Sequence, residues 1–331
     1  MIAVIPVAGA GARLRPLTYT QPKPLIPVAG KPIISYIIDD LTKIGTKKFI
    51  FIIGYLGEKI ENFLKEAYPD LDMEFVEQQE RKGSGHAIWL AKNKWKKAKE
   101  LIIIFGDTIL DLNYKKMLKA KSSVLCVKEV KDPTKFGVVE LSEKEEVIKV
   151  VEKPLIPKSN LAMVGLYKIK KVKELAAALD FNIKNNFHTE EEFPLTDALQ
   201  QMINKNIKFD ILKVDNWHDC GKREILLETN AIMLDRKKNF DATPQFDSAI
   251  IIHPVSIGKN CKIEDSIIGP HVTIGDNVEI KSTIIKNSII GNYTHIKEAV
   301  LQRSVIGNDT SITGLRQSLN IGDNTEIDFS K

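Results

Sequence analysis

Residues 7–16 read Val-Ala-Gly-Ala-Gly-Ala-Arg-Leu-Arg-Pro and follow a short run of β-branched residues. Ala8, Gly9 and Gly11 make a stretch of backbone that a phosphate can approach closely, because glycine puts no side chain between the amide and the anion. Arg13 adds a fork of donors that can hold a phosphate bidentately. Lys23, between Pro22 and Pro24, adds a compact charge at a set place. Two common phosphate motifs do not fit. A dinucleotide fingerprint needs a third glycine where Leu14 stands, and a Walker loop needs Ser or Thr where Pro32 follows Gly30-Lys31. What remains is a cation-loaded phosphate loop.

The elements that must position this loop are legible around it. Through about residue 236, short β-branched runs alternate with helical patterns as in β-α-β units, which predicts an α/β domain with a mainly parallel sheet. Residues 2–7 form the first strand. Pro32, the apolar face Ile33, Ile34, Ile37, Ile38 and Leu41, and the closing Gly45 mark a helix; residues 49–53, 73–77 and 101–105 continue the sheet. The run 101–105 is apolar throughout, as expected of a central parallel strand. Asp107 then falls just past a strand's carboxyl end, the edge where open α/β sheets bind ligands.

A second architecture begins beyond residues 237–247, which read as a linker. Ile-Gly pairs recur at Ile257, Ile268, Ile274, Ile290, Ile306 and Ile321, with apolar residues six positions on at Ile263, Ile280, Ile296, Ile312 and Ile327. This hexapeptide pattern predicts a left-handed parallel β-helix over 248–331, each turn burying one aliphatic side chain. The expected domains are therefore 1–236, a linker at 237–247, and 248–331.

Composition narrows the function classes. Of 331 residues, 43% are apolar, enough for a substantial core, and no apolar run is long enough to cross a bilayer. No signal peptide opens the chain, so a cytoplasmic location is expected. The net charge of +5 arises from scattered residues, which is no nucleic-acid footprint and suits anionic substrates. Cys126, Cys220 and Cys261 form no Cys-x-x-Cys pair and read as reduced or buried thiols.

Several segments together resemble the nucleotide-sugar pyrophosphorylases, particularly the glucose-1-phosphate thymidylyltransferases. Gly9-Ala-Gly-Ala-Arg-Leu-Arg-Pro16 and Pro22-Lys23 match that family's opening motif, with Ala12 in place of its usual threonine. Gln78 followed after four residues by Gly83-Ser-Gly-His-Ala87 resembles the base-recognition segment, in which a glutamine amide reads a pyrimidine edge; Gln79 is its rival, and His86 reads as a packing or capping residue. Asp107, in Phe105-Gly106-Asp107, and Asp219, in Trp217-His-Asp-Cys-Gly221, resemble the family's magnesium ligands; two carboxylates suffice for Mg2+ when substrate phosphates complete its shell. Around the acceptor, Gly137, Glu152, Lys153 and Gly165 match sugar-phosphate segments, Lys153 toward the phosphate and Glu152 toward sugar hydroxyls. Glu192, ahead of Phe-Pro-Leu-Thr-Asp197, resembles a further sugar contact.

The resemblance implies a Rossmann-like, GT-A-like nucleotidyltransferase domain that joins a nucleoside triphosphate to a sugar 1-phosphate and releases pyrophosphate. Arg13 and Lys23 are its expected catalytic cations, with dTTP or UTP and glucose 1-phosphate as substrates. Small molecules are the expected partners, with no nucleic acid and no membrane, in a homo-oligomer. Two rivals stand beside this reading. One is a catalytically weak regulatory or assembly subunit, which only Ala12 favours. The other gives the β-helix acyltransferase chemistry through His253, His271 or His295; four or five coils without an extended loop favour an oligomerisation or regulatory role instead.

Overall fold

The computed structural model describes residues 1–189, 191–236 and 244–314. Contacts divide the chain into two units, Met1–Thr229 and Asn230–Lys331. Ile321 and Ile327 of the repeat, and 237–243 of the expected linker, lie outside the described residues.

Nine strands build the main sheet of the first unit: β1 (Ile2–Pro6), β2 (Lys48–Ile53), β3 (Asp72–Glu77), β4 (Leu101–Ile104), β6 (Ser123–Glu129), β7 (Val138–Leu141), β8 (Val147–Val151), β9 (Leu161–Ile169) and β10 (Phe209–Lys213). Two more, β5 (Thr108–Asp111) and β11 (Asn216–Asp219), form a separate antiparallel pair. The order is β8-β7-β9-β4-β1-β2-β3, with β6 on β9 and β10 on β6. Strands β4, β1, β2 and β3 run parallel. Strand β9 meets β4 antiparallel, so the expected central parallel strand has one parallel and one antiparallel neighbour. An unbroken apolar run reports burial on both faces of a strand. It carries no information on the direction of the neighbours.

Alternation along the strands divides the core in two. Ala3, Ile5, Ile102 and Ile104 face one cluster, while Val4, Leu101 and Ile103 face the other. Helix α1 (Ile33–Lys43) buries Ile33, Ile34, Ile37, Ile38 and Leu41, the predicted face, and Gly45 at φ +86° ends it by donating to Thr42 O. The loops leaving β1 and β4 emerge side by side at the carboxyl edge because these strands pair parallel. The 105–107 loop is tied on both flanks: Phe105 N donates to Gly165 O and Gly106 N to Pro6 O.

In the second unit, three four-stranded parallel sheets wrap one aliphatic column. Ile263, Ile280, Ile296 and Ile312 stack in register along one face, and Ile268 with Ile285 lies fully buried on another. The six-residue period thus produces the predicted parallel β-helix, four strands deep on each face among the described residues.

Candidate active site

The loop after β1 needs a sharp reversal. Gly11 supplies it at φ +62°, and its carbonyl accepts from Leu14 N at 2.9 Å and from Thr18 Oγ1 at 2.9 Å. The turn 12–14 that follows aims Arg13 across the cleft. No acceptor among the described residues takes the amides of Ala8, Gly9 and Ala10. A Cβ added at Gly9 would meet nothing within 4 Å. The fold therefore makes no demand for glycine at position 9; the open space lies where a ligand would approach.

Ala8, Gly9, Gly11, Arg13, Lys23, Gln78, Gly83 and Asp107 all line one cleft of about 430 Å³. Asp219 joins them through the β5–β11 pair, which sets it opposite Thr108, next to Asp107; Cys220 N donates to Asp107 O. Lys23, 8% exposed at its side chain, sits between the two carboxylates: its Nζ is 2.5 Å from Asp107 Oδ2 and 3.7 Å from Asp219 Oδ1. Arg13 lies over Gly221, where a Cβ would come within 2.7 Å of Nη2 and 3.0 Å of Asp219 Oδ1.

Burial works against ionisation of both carboxylates. At Asp107 it is outweighed by the charge and hydrogen bond of Lys23, a backbone hydrogen bond and Arg13, so the carboxyl is held below its ordinary range. At Asp219, burial and the negative charge of Asp107 outweigh Lys23 and Arg13, and the carboxyl is raised. Two converging carboxylates, with the Lys23 ammonium between them and Arg13 beside them, suit a hard divalent cation. Among the described residues no cluster of three or more His, Cys, Asp or Glu could hold a metal, so such an ion would draw its remaining ligands from substrate and water.

Gln78 is buried at 5% exposure, whereas Gln79 points to solvent. Gly83 requires its missing side chain: φ is +97°, and a Cβ would lie 2.8 Å from Phe193 O. Its loop thereby packs onto the segment that starts helix α2 (Leu195–Asn204), with Gly85 N donating to Phe193 O.

The acceptor-side residues gather in a second cluster. Glu152 Oε2 accepts from Thr196 Oγ1 at 2.5 Å, and a Cβ at Gly137 would collide with Met163 Cε at 2.4 Å and approach Glu152 Oε2 at 3.2 Å. Gly165, at φ +78° where the register of β9 shifts, lets that strand pass Phe105, a wall of the cleft. The Phe136 ring meets Trp217 edge-on at 4.7 Å, joining the Gly137 loop to the strand that carries Asp219. Lys153 is exposed, its backbone at φ +38° and its N donating to Phe136 O. It lies off the wall of the main cleft, while Glu192 lies on that wall.

Three further residues, Arg81, Thr18 and Thr196, belong to these sites. Arg81 lines the cleft from within the interval between Gln78 and Gly83, so a cation in that interval was a usable signal. Thr18 and Thr196 act through contacts 7 and 44 residues away, which no local pattern encodes.

Residues 2–236 match the family model described as nucleotidyl transferase. The bifunctional protein GlmU of Methanocaldococcus jannaschii is 39% identical over 254 residues, covering 76% of this chain and 59% of the relative, so the chain spans about three fifths of that protein's length. A glucose-1-phosphate thymidylyltransferase of Streptomyces antibioticus is 26% identical over 88% of this chain and 87% of its own. Among solved structures, a UDP-glucose pyrophosphorylase complexed with UDP-glucose superposes with a TM-score of 0.60 at 23% identity, covering 71% of this chain and 99% of that one. No described helix is long and apolar enough to cross a membrane.

Proposed function

This chain belongs to the nucleotidyl transferase family, and from that premise we propose that it joins a pyrimidine nucleoside triphosphate, dTTP or UTP, to glucose 1-phosphate and releases pyrophosphate. The observation that carries the reading is the Asp107–Lys23–Asp219 cluster beside a cleft lined by a loop whose amides, at Ala8 and Gly9, no described residue accepts. The two carboxylates outnumber the one ammonium, so with a divalent cation on them and Arg13 beside them such a site would neutralise anions, as a site for two phosphorylated substrates must before they can meet.

The loop amides of Ala8 and Gly9 and the guanidinium of Arg13 hold the β- and γ-phosphates as they leave. Lys23 offsets charge on the α-phosphate, where the sugar phosphate attacks in line. Gln78 and Gly83 hold the base, and Lys153 and Glu152 hold the sugar phosphate, with Gly137 and Gly165 letting Met163 and Phe105 pack close around that side of the site. No general base is required, because the attacking phosphate is already ionised. Asp107 and Asp219 would hold Mg2+, which when bound neutralises phosphate charge and polarises the α-phosphorus. The β-helix is read as an assembly element of a homo-oligomer.

The test is a matrix of dTTP, UTP, CTP, ATP and GTP against several sugar 1-phosphates, scored by released pyrophosphate, with Asp107→Asn alongside. Turnover confined to pyrimidine nucleotides and lost in the variant is expected. Near-normal release by Asp107→Asn would sink the assignment of the carboxylate pair, and release with purine nucleotides alone would sink the base assignment.

A further inference from the structure

Gln78 carries an amide with two donors on one side and an acceptor on the other, and which side faces a base decides what it reads. Both donors are taken inside the protein. Nε2 lies 3.2 Å from Gly83 O and 3.1 Å from His86 Nδ1. The Gly83 carbonyl can only accept, so it favours the nitrogen on that side across a long 3.2 Å contact, and the second N–H, falling on Nδ1, supplies the rest of the constraint. No donor among the described residues reaches Oε1.

His86 is well placed to keep this arrangement. Its ring stacks against Trp89 at 6.0 Å and 24°, and Trp89 is itself anchored by Nε1 donating to Asp180 Oδ1 at 2.8 Å. Its backbone N donates to Phe193 O, which fixes the main chain from which the ring projects. Burial, aided by Lys82 and opposed by Glu80, favours the neutral imidazole. With Nδ1 accepting from the Gln78 amide, the neutral ring carries its proton on Nε2.

We infer that His86 is a positioning residue for base selection: by accepting from Gln78 it turns the amide oxygen toward the base, where it accepts from a ring N3–H. Uracil and thymine have that proton. Cytosine has a lone pair there, and two acceptors face each other. Discrimination between uracil-type and cytosine nucleotides thus depends on a side chain that does not touch the base. The inference rests on reading the cleft as a pyrimidine nucleotide site, and its test uses binding so that the two can fail separately.

Dissociation constants for UTP and CTP would be measured by titration calorimetry on the full chain, for wild type, His86→Phe and His86→Asn. Phenylalanine keeps the ring and its stacking but has no acceptor, so the UTP preference should shrink by about tenfold or more, the effect of one lost hydrogen-bond constraint. Asparagine sets an amide oxygen close to the position of Nδ1 and should keep the preference to within about threefold. In the wild type, the 15N shift of His86 at neutral pH should report an unprotonated Nδ1, a reading that survives even if His86→Phe does not fold. The inference is overturned by an unchanged preference in His86→Phe, by equal losses in both variants, by no UTP preference in the wild type, or by a protonated Nδ1. Selective binding without pyrophosphate release would instead overturn the proposed reaction and leave this inference standing.

Discussion

Replacing Lys23 with methionine keeps the volume of the side chain and removes the cation between Asp107 and Asp219. At an effective dielectric near 20, charges at the observed 2.5 and 3.7 Å attract by about 7 and 4.5 kcal/mol. Desolvation of a nearly buried ammonium offsets most of that. What the variant loses is the neutralisation of two adjacent carboxylates, a kind of loss that costs about 3–5 kcal/mol when one buried partner is removed. With 36% of the Asp107 side chain open to the cleft, the lower end applies, about 3 kcal/mol. For a unit of this size that is a fall in Tm of about 6–12 °C. Calorimetry and urea unfolding of Lys23→Met would measure it. Adding Asp219→Asn to the variant should recover part of the loss by relieving repulsion. Asp107 is depressed below its ordinary 3.8, so its contribution is present above that value and disappears as pH falls through the folded pKa; the gap between variant and wild type should close on acidification. Asp219, being raised, works in the opposite sense: its stabilising share is present at low pH and lost as pH rises through its folded pKa. A variant within about 1 kcal/mol of wild type, or a loss that Asp219→Asn deepens, would refute the reasoning.

Gly9→Ala should leave Tm within about 1 °C while weakening nucleotide binding, because the added Cβ meets nothing in the protein. Gly83→Ala should cost about 1–3 kcal/mol in urea unfolding, from a left-handed φ and a collision with the Phe193 backbone. Burial pushes the thiols of Cys126 and Cys220 up to about 12, so a maleimide at pH 8 should label no more than Cys261 in the native protein, and all three after denaturation. Ile285→Ala, in the fully buried column of the β-helix, should destabilise the second unit by about 2–5 kcal/mol, read by circular dichroism during thermal unfolding.

The two architectures were legible because each is a short-range pattern. The helix face from Ile33 to Leu41 has the helical period and the β-helix a period of six, and both match the buried positions. Strand β4 shows where that stops: its four apolar residues announced burial, but β9 meets it antiparallel, a choice made by chain connection and not by local side chains. Gln78 and Gln79 are equivalent as letters. Only the pairing of β2 with β3 and the packing of the Gly83 loop bury one and expose the other.

What the sequence determined by itself was the set of chemical groups: a glycine-rich turn after a strand, two cations beside it, and acidic residues in segments that end strands. These follow from residue type and near-neighbour spacing, where steric and hydrogen-bonding preferences act. The tertiary structure decided their relations. It set Lys23 between carboxylates 84 and 196 positions away in the chain, laid Arg13 over Gly221, joined Glu152 to Thr196, and turned the Gln78 amide by way of His86. Distances of a few ångströms between remote residues depend on how whole strands stack. Charge and hydrogen-bond energies change most steeply at that range, so the phosphate loop becomes a site only when the sheet is assembled.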